Sequence, residues 1–276
     1  MKKLIFNADD FGNSIALNQG IKRGAKTKII TSTSLMATGC AFDDAVLNVL
    51  PEMPPIKVGV HLNIIEGQSL TNPQHLCDKN GRFNKHFLAI RKLSQEPQVL
   101  KEIENEFRAQ IEKVMQHIKP SHLDSHVHTH AITPIFDITC KLALEYNIPR
   151  IRTQYEVPYI VPKLKKNLNI KYPINLIKRF ILNNYTKSNK ILLKKYNIAT
   201  NDYFVGVTYT GYMDEDTVEY GLKAVPENDG IVEVLIHPHY FKEGDKILSP
   251  NNYNEFLITQ SQTIQSKIRK ANCEYL

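Results

Sequence analysis

The chain has 276 residues, of which 42% are hydrophobic and 23% charged, enough for one large α/β domain with a real core. Its net charge of +7 would suit nucleic acid, but the chain has no zinc-finger, RRM or helix-turn-helix motif, so we expect no nucleic-acid partner. No apolar run reaches the roughly 18 residues of a membrane span, and the four cysteines form no CxxC pair, so we expect a cytoplasmic protein with reduced thiols and no secretory leader.

The predicted elements alternate between strands and helices along the chain. Runs rich in apolar and β-branched residues predict strands at 3–8, 29–37, 56–64, 121–130 with its exit loop, 150–154, 203–210 and 231–239. Helical patterns cover 14–26, 41–50, 99–118, 135–146 and 251–271. We treat residues 67–94, predicted as loop, and 162–197 as insertions in one domain spanning 1–276. The alternation predicts a parallel sheet with helices outside, which an open sheet and a barrel both satisfy.

Acidic and histidine side chains stand where several of these strands end. Asp9 and Asp10 come just after the first strand, and His61 lies near the end of the third. A cluster at 122–130 ends a middle strand, and His237 ends the last. Because the carboxyl ends of parallel strands meet at one rim, where the active sites of α/β proteins are built, we expect these side chains to form a site.

A divalent metal ion would explain two carboxylates side by side at the end of a buried strand. Without a cation, Asp9 and Asp10 repel each other and one of them tends to hold a proton. Histidine nitrogen and carboxylate oxygen are the ligands of borderline divalent ions, and such an ion lets both acids stay ionised. Neighbouring residues on extended backbone point to opposite sides, so one carboxylate can bind the ion while the other faces the substrate.

The 122–130 segment carries polar residues at every second position: His122, Asp124, His126, His128 and His130. An extended strand places all five on one face, but they span roughly 13 Å at about 3.3 Å per residue, so one ion reaches only one or two of them. We expect Asp124 to orient a ligand imidazole or to pair with Arg152, and we predict Asp124 and His128 as substrate contacts. The simpler alternatives are that Asp10 caps the helix over 14–26 and that the alternating residues face solvent at a sheet edge.

Six segments stand out in chain order: NADDFG at 7–12, GVHLNIIEG at 59–67, SHLDSHVHTH at 121–130, RIR at 150–152, YFVGVTYTGYM at 203–213 and EVLIHPH at 233–239. Together they resemble the YdjC-like carbohydrate deacetylases, and they extend over nearly the whole chain. The resemblance implies an α/β fold in the form of a distorted or incomplete (β/α) barrel. It also implies metal-dependent removal of the acetyl group from an N-acetylated sugar.

The resemblance further assigns roles by position. It implies one divalent ion, magnesium or zinc, held by three ligands: Asp10, His61 and His126. Asp9 then matches the general base, His237 the general acid, and Arg152 an arginine beside the catalytic carboxylates. Two other classes stay open: another metal-dependent hydrolase, of the amidohydrolase or phosphoesterase type, and a non-catalytic sugar-binding relative.

The insertion at 162–197 is rich in lysine and contains no acid. Pro173 can open a helix that has Ile177 and Phe180 among the apolar residues along one side. Either this apolar side packs on the barrel as a lid, or 174–195 contacts an anionic membrane surface and guides a lipid-linked amino sugar to the site. An N-acetylated oligosaccharide is the other expected substrate, and formation of a homodimer is left open.

Overall fold

The protein folds around a parallel sheet in this computed structural model. The structure describes residues 2–227, 230–242, 250–270 and 274–275. Within these residues the strands are β1 Lys2–Phe11, β2 Ser32–Leu35, β3 Lys57–Leu62, β4 Leu123–Ser125, β5 Tyr203–Val205, β6 Gly230–Ile236 and β7 Glu274–Tyr275. Their order is β4-β3-β2-β1-β6-β5, with β7 paired separately to β1. The sheet curls into a half-barrel, which confirms the predicted incomplete barrel.

Helices connect the strands in the expected alternation. In the described part of the chain they are α1 Ile15–Lys26, α2 Phe42–Asp44, α3 Phe87–Leu93, α4 Pro97–Met115, α5 Thr133–Glu145, α6 Leu164–Asn167, α7 Lys171–Tyr196, α8 Glu215–Ala224, α9 Pro250–Gln260 and α10 Gln262–Lys270. A π-helical turn and a 3₁₀ turn extend α2 to Glu52. Helix α3 lies inside 67–94, so the prediction of an irregular loop there is wrong in part.

The long helix α4 forms one wall of the core, as its apolar spacing predicts. Its fully buried apolar residues are Val99, Ile103, Phe107, Ile111 and Val114. They recur three or four positions apart, so they form one stripe, and the helix packs against β3 and α5. Burial of each such side chain contributes about 1.5–3 kcal/mol to stability.

Several predicted strands are shorter than expected, among them 29–37, of which Ser32–Leu35 is the strand β2. The strand at 150–154 is reduced to single bridges to neighbouring segments. The strand at 203–210 ends at Val205, because the buried carboxylate of Glu156 accepts the next three backbone N–H groups and turns the chain away from the sheet. Backbone groups bonded to a side chain are no longer available to a neighbouring strand.

The helix predicted over 251–271 is divided into α9 and α10, and residue 271 lies outside the described residues. Ser261 stands between the two helices. Its hydroxyl accepts the backbone N–H of Ile264, three residues further on, which is the hydrogen bond of a helix amino-terminal cap.

Two expectations from composition concern thiols and membranes. Among the described residues, Cys40, Cys77 and Cys140 carry free thiols, and Cys273 lies outside them. No helix in the described ranges is long and apolar enough to cross a lipid bilayer.

Helix α7 dominates the second insertion and begins two residues before Pro173. Its buried residues are Asn175, Leu182, Thr186, Asn189 and Leu193. Ile177 and Phe180 face outward and are more than 60% exposed. The prediction that the side with Ile177 and Phe180 packs on the barrel is therefore wrong: the buried side of α7 carries two leucines and three polar residues.

Candidate active site and metal centre

Asp9 and Asp10 point in different directions because β1 bends at its end. The pairing of β1 with β2 shifts register between Ala8 and Phe11, and Asp10 has a left-handed backbone with φ of 63°. That conformation costs a non-glycine residue about 1–2 kcal/mol, and such strain persists where the surroundings hold it, often at functional sites. The two acids separate as expected, but the bend, not extended backbone, turns Asp10 toward two histidines and Asp9 toward Arg152.

Asp10, His61 and His126 form a compact cluster. Oδ1 of Asp10 lies 3.0 Å from Nε2 of His61 and 2.8 Å from Nδ1 of His126. One ligand atom from each residue lies within 4.8 Å of the others. Burial lowers the pKa of His61, but nearby carboxylates, chiefly Asp124 and Asp9, raise it to about 10. The cluster thus attracts positive charge, and its one carboxylate and two imidazoles fit a divalent ion.

Asp124 contacts the ring nitrogen of His61 that faces away from Asp10. Its Oδ1 lies 2.7 Å from Nδ1 of His61, while its Oδ2 accepts a hydrogen bond from Ser34 and contacts Arg152. A carboxylate on the far nitrogen of a ligand imidazole fixes the tautomer and the ring orientation, leaving Nε2 toward Asp10. Asp124 is fully buried. Its contacts match the expectation that it orients a ligand imidazole or pairs with Arg152, and its burial leaves it no open side toward a substrate.

The chain turns sharply where an extended strand was predicted. The strand at 121–130 ends at Ser125, and a 3₁₀ helix follows at His126–Ala131. Val127 and His128 adopt left-handed backbone conformations inside it. Successive side chains therefore fan out in different directions, and the prediction that five of them share one face is wrong.

Of the histidines on this turn, His126 reaches the cluster. His128 is 3% exposed and lies edge-on to Phe204 at 5.8 Å between ring centroids, so its predicted contact with substrate does not fit this position. Burial is the main cause that holds the pKa of His128 well below its usual value. His122 and His130 are fully buried and hydrogen-bond to serine hydroxyls in the interior.

Arg152 is fully buried behind the cluster. Its nitrogens contact three carboxylates: Asp9 at 2.6 and 2.7 Å, Asp124 at 2.7 Å and Glu233 at 2.5 Å. Burial opposes the charge of Arg152, but these carboxylates outweigh it and hold its pKa well above the usual value. Arg152 was predicted among the catalytic residues. Its complete burial and its two hydrogen bonds to the Asp9 carboxylate suit a residue that orients Asp9.

His237 is the first residue beyond β6. Its backbone N–H donates to Oε2 of Glu255 at 2.5 Å, and its Nδ1 lies 3.2 Å from the same oxygen. Burial lowers the pKa of His237, but the Glu255 carboxylate and the two aspartates of β1 raise it to about 9. Helix α1 fixes the following turn, because Gly20 approaches Pro238 so closely that a Cβ there would lie 1.8 Å from its carbonyl oxygen.

A cleft of about 550 Å³ opens beside the cluster. Glu66 stands at its rim, with Oε1 3.4 Å from Nε2 of His126 and 3.4 Å from Nδ2 of Asn13. Arg82 and the thiol of Cys40 also line it. Its volume lies within the range of small-ligand sites.

Several contributing residues escaped sequence reasoning: Asn7, Ser34, Glu66, Glu233 and Glu255. Glu233 left a signal, because it is the one acid in the apolar strand IVEVLI. Glu255 left none, since it lies in a separate helix 18 positions from its partner. Asn7 and Ser34 are ordinary strand residues until the fold brings them together.

Fold and site together define a half-barrel α/β protein with a carboxylate–imidazole cluster at the carboxyl ends of its strands. The profile of the YdjC-like protein family matches residues 3–275. The chain therefore belongs to the YdjC-like family, which confirms the membership that its motifs predict.

Relatives with known names match over most of the chain. A carbohydrate deacetylase of Clostridium beijerinckii is 32% identical over 267 residues, which cover 96% of this chain and 92% of that protein. Carbohydrate deacetylase 2 of Listeria innocua is 32% identical over 240 residues, covering 86% and 91%. A crystal structure from Enterococcus faecalis V583, of a protein named for cellobiose-phosphate cleavage, shares the fold with a TM-score of 0.76 at 23% identity, covering 100% of this chain and 97% of that one.

The cluster generates a prediction about metal binding. Alanine at Asp10, His61 or His126 should lower zinc or magnesium affinity by more than the roughly 10–100-fold typical of losing a supporting residue. His128→Ala should keep its metal, because His128 points away from the cluster. Elemental analysis after metal loading and dialysis measures occupancy. Full occupancy in His61→Ala would contradict the assignment.

The buried arginine generates a prediction about stability and pH. Arginine lowers the folded-state pKa of Asp124 and Glu233 against the effect of burial, so their stabilising contribution is present above about pH 4 and is lost as pH falls through the folded values. Arg152→Met leaves buried carboxylates uncompensated and should cost about 3–5 kcal/mol near neutral pH. The loss should shrink toward acid pH, where the carboxyls of the variant become protonated.

The matched control is Arg150→Met. Arg150 pairs with Glu233 at 2.9 Å but is partly exposed, so its loss should cost much less. Urea unfolding of both variants at neutral and mildly acid pH gives the comparison. Equal losses, or a loss in Arg152→Met that does not change with pH, would show that the guanidinium does not hold these carboxylates.

Proposed function

We propose that this protein is a metal-dependent carbohydrate deacetylase that removes the acetyl group from an N-acetylated amino sugar. The observation that carries the proposal is one rim that joins the cluster of Asp10, His61 and His126, a second buried carboxylate and a histidine paired with a buried glutamate, beside an open cleft. Amide hydrolysis requires a base for water and an acid for the departing amine, and this rim offers one of each. The names of the relatives support the substrate class.

The residues that would hold the ion are Asp10, His61 and His126. When bound, a divalent ion polarises the amide carbonyl and lowers the pKa of water. The two imidazoles favour zinc over magnesium, because magnesium prefers oxygen ligands. Asp124 contributes by holding His61 through Nδ1, which keeps Nε2 available on the side of Asp10.

Asp9 is the proposed general base, and its surroundings select one of its oxygens. Oδ1 accepts hydrogen bonds from both Arg152 and Asn7, whereas Oδ2 accepts one bond from Arg152. Each carboxylate oxygen has two acceptor positions, so Oδ2 keeps one free. Oδ2 also lies 4.0 Å from Nε2 of His61, on the side of the cluster. It is therefore the atom that takes the proton of the attacking water.

His237 is the proposed general acid. A pKa of about 9 keeps the ring protonated at neutral pH. Glu255 occupies its Nδ1 side, which leaves Nε2 as the nitrogen that can donate to the departing amine. An amine is a poor leaving group without that proton, so the acid is worth most for an amide substrate.

The cleft beside Glu66 is the proposed place of the sugar. Glu66 and Asn13 offer hydrogen-bond acceptors and donors next to His126, which suits sugar hydroxyls. The cleft is open to solvent at one side, so it accepts either an oligosaccharide or a lipid-linked amino sugar.

Acetate release tests the proposal. Metal-loaded protein is expected to release acetate from a panel of N-acetylated monosaccharides, oligosaccharides and lipid-linked amino sugars. Asp9→Asn should keep its metal and lose roughly 10²–10⁴ in turnover. Asp43→Asn, at an exposed acid of α2, is the matched control and should behave as wild type. Phosphate release from phosphate esters without acetate release, or sugar binding without turnover, would replace the proposal with one of its rivals.

The His237–Glu255 pair gives a pH prediction. Turnover should fall as pH rises through about 9, because the acid loses its proton. Glu255→Gln removes the carboxylate that does most to hold that proton, so this fall should move toward the ordinary histidine value near 6.5. His237→Gln should lose roughly 10²–10⁴ in turnover on amides and less on activated aryl acetate esters. An unchanged basic limb in Glu255→Gln would exclude His237 as the titrating acid.

A further inference from the structure

The segment from the start of α6 into the first half of α7 exposes an unusual number of large apolar side chains. They are Leu164, Leu168, Ile170, Ile174, Ile177 and Phe180, each between 61% and 81% exposed. Single exposed apolar residues are ordinary on a protein surface, whereas a concentration in one short segment marks an interaction surface. We call these six residues the apolar patch.

The inner side of α7 carries three buried polar residues beside Leu182 and Leu193, whereas Ile177 and Phe180 lie outside. Asn175 donates to the carbonyl of Thr210, and Asn189 donates to the carbonyl of Ala131. At about 100° per residue, Ile177, Phe180 and Ile191 lie on the side of the helix opposite these contacts. The inner side of α7 is already packed against the body of the protein, so the outer apolar side remains available to a partner.

The same segment is strongly basic. Residues 157–201 contain nine lysines, one arginine and no acid. Lys163 pairs with Asp216 of α8 and Lys166 with Asp214, the residue that caps α8, but Lys187, Lys190, Lys194 and Lys195 are exposed along α7. By helical geometry Lys187, Lys194 and Lys195 flank Ile191 on the outer side. We call these three the basic flank.

We propose that the apolar patch and the basic flank dock this protein on an anionic lipid surface. Apolar side chains that enter the acyl boundary while lysines meet anionic headgroups are the pattern of an interfacial helix. A symmetric dimer through the same surface is disfavoured, because it would bring two basic flanks together. Charge complementarity therefore selects anionic lipid over a second copy.

The docking surface is directly connected to the site. The inner side of α7 binds Ala131, the last residue of the turn that begins at His126, and its Thr186 accepts the backbone N–H of Gln154. A docked α7 would therefore hold the turn that carries His126 on the side of the protein that faces the headgroups. The docking itself stands on exposure and charge and does not depend on the deacetylase proposal.

Co-sedimentation of the full chain with vesicles tests the docking. Binding is expected to vesicles that contain phosphatidylglycerol, to be several-fold weaker at high salt, and to be weak with phosphatidylcholine alone. Ile177→Ser combined with Phe180→Ser should weaken binding at least about tenfold, because both side chains are exposed and each loses apolar burial. Glutamine at all three basic-flank lysines should weaken it about a hundredfold, from roughly fivefold per lysine.

Matched control variants distinguish binding through the apolar patch and the basic flank from nonspecific adsorption to vesicles. Leu47→Ser with Leu257→Ser removes exposed apolar side chains elsewhere on the protein. Glutamine at Lys57, Lys79 and Lys101 removes exposed charges elsewhere. Both control variants should bind vesicles as the wild type does. Circular dichroism and retained metal show that each variant is folded. Equal binding to both lipids, or patch and flank variants that bind like their controls, would overturn the proposal. Dimerisation in ultracentrifugation that Ile177→Ser with Phe180→Ser abolishes, without vesicle binding, would assign the surface to a second copy.

Discussion

The site depends on one buried interaction, the guanidinium of Arg152 among three carboxylates. Asp9, Asp124 and Glu233 come from β1, β4 and β6, so a single side chain ties β4, at one edge of the sheet, to the neighbouring strands β1 and β6. Three such acids without a cation would repel one another and would be costly to bury. Arginine suits this place because its planar group offers several donors at fixed angles and stays charged when dry.

From this interaction a chain of contacts runs outward to the rim. Arg152 fixes Asp124, Asp124 fixes His61, and His61 faces Asp10, whose strained backbone brings it to the mouth of the site. Each step moves from the dry interior toward the open cleft. The geometry of the cluster is thus set in part by residues that no substrate touches, the usual way a site gains precision.

The same contacts explain how two adjacent acids have different environments. Asp9 faces inward to a guanidinium, whereas Asp10 faces two imidazoles across the bend in β1. Helix α7 likewise has two sides with different surroundings. Asn189 on its inner side bonds to the turn that carries His126, while Ile177 and Phe180 lie on its outer side. In both cases contacts with polar groups near the site determine which side chains face inward.

Local patterns in the sequence were enough to predict the alternation of strands and helices and which residues meet at the rim. Apolar runs fix the strands, and parallel strands bring their carboxyl ends together, so Asp10, His61, His126 and His237 could be placed on one rim without coordinates. The spacing of apolar residues likewise predicted the buried stripe of α4. These features depend on neighbours within a few residues, which a sequence displays directly.

Only the tertiary structure decided what depends on distant partners. The left-handed backbone at Val127 and His128 breaks the two-residue alternation that the sequence shows, so the directions of the histidines could not follow from spacing. Glu255 can accept a hydrogen bond from His237 only because the fold brings α9 next to the end of β6. An apolar stripe on α7 is visible in the sequence, but which side of the helix is covered depends on Thr210 and Ala131, which lie elsewhere in the chain. Periodicity reports that a face exists, whereas packing alone decides what lies against it.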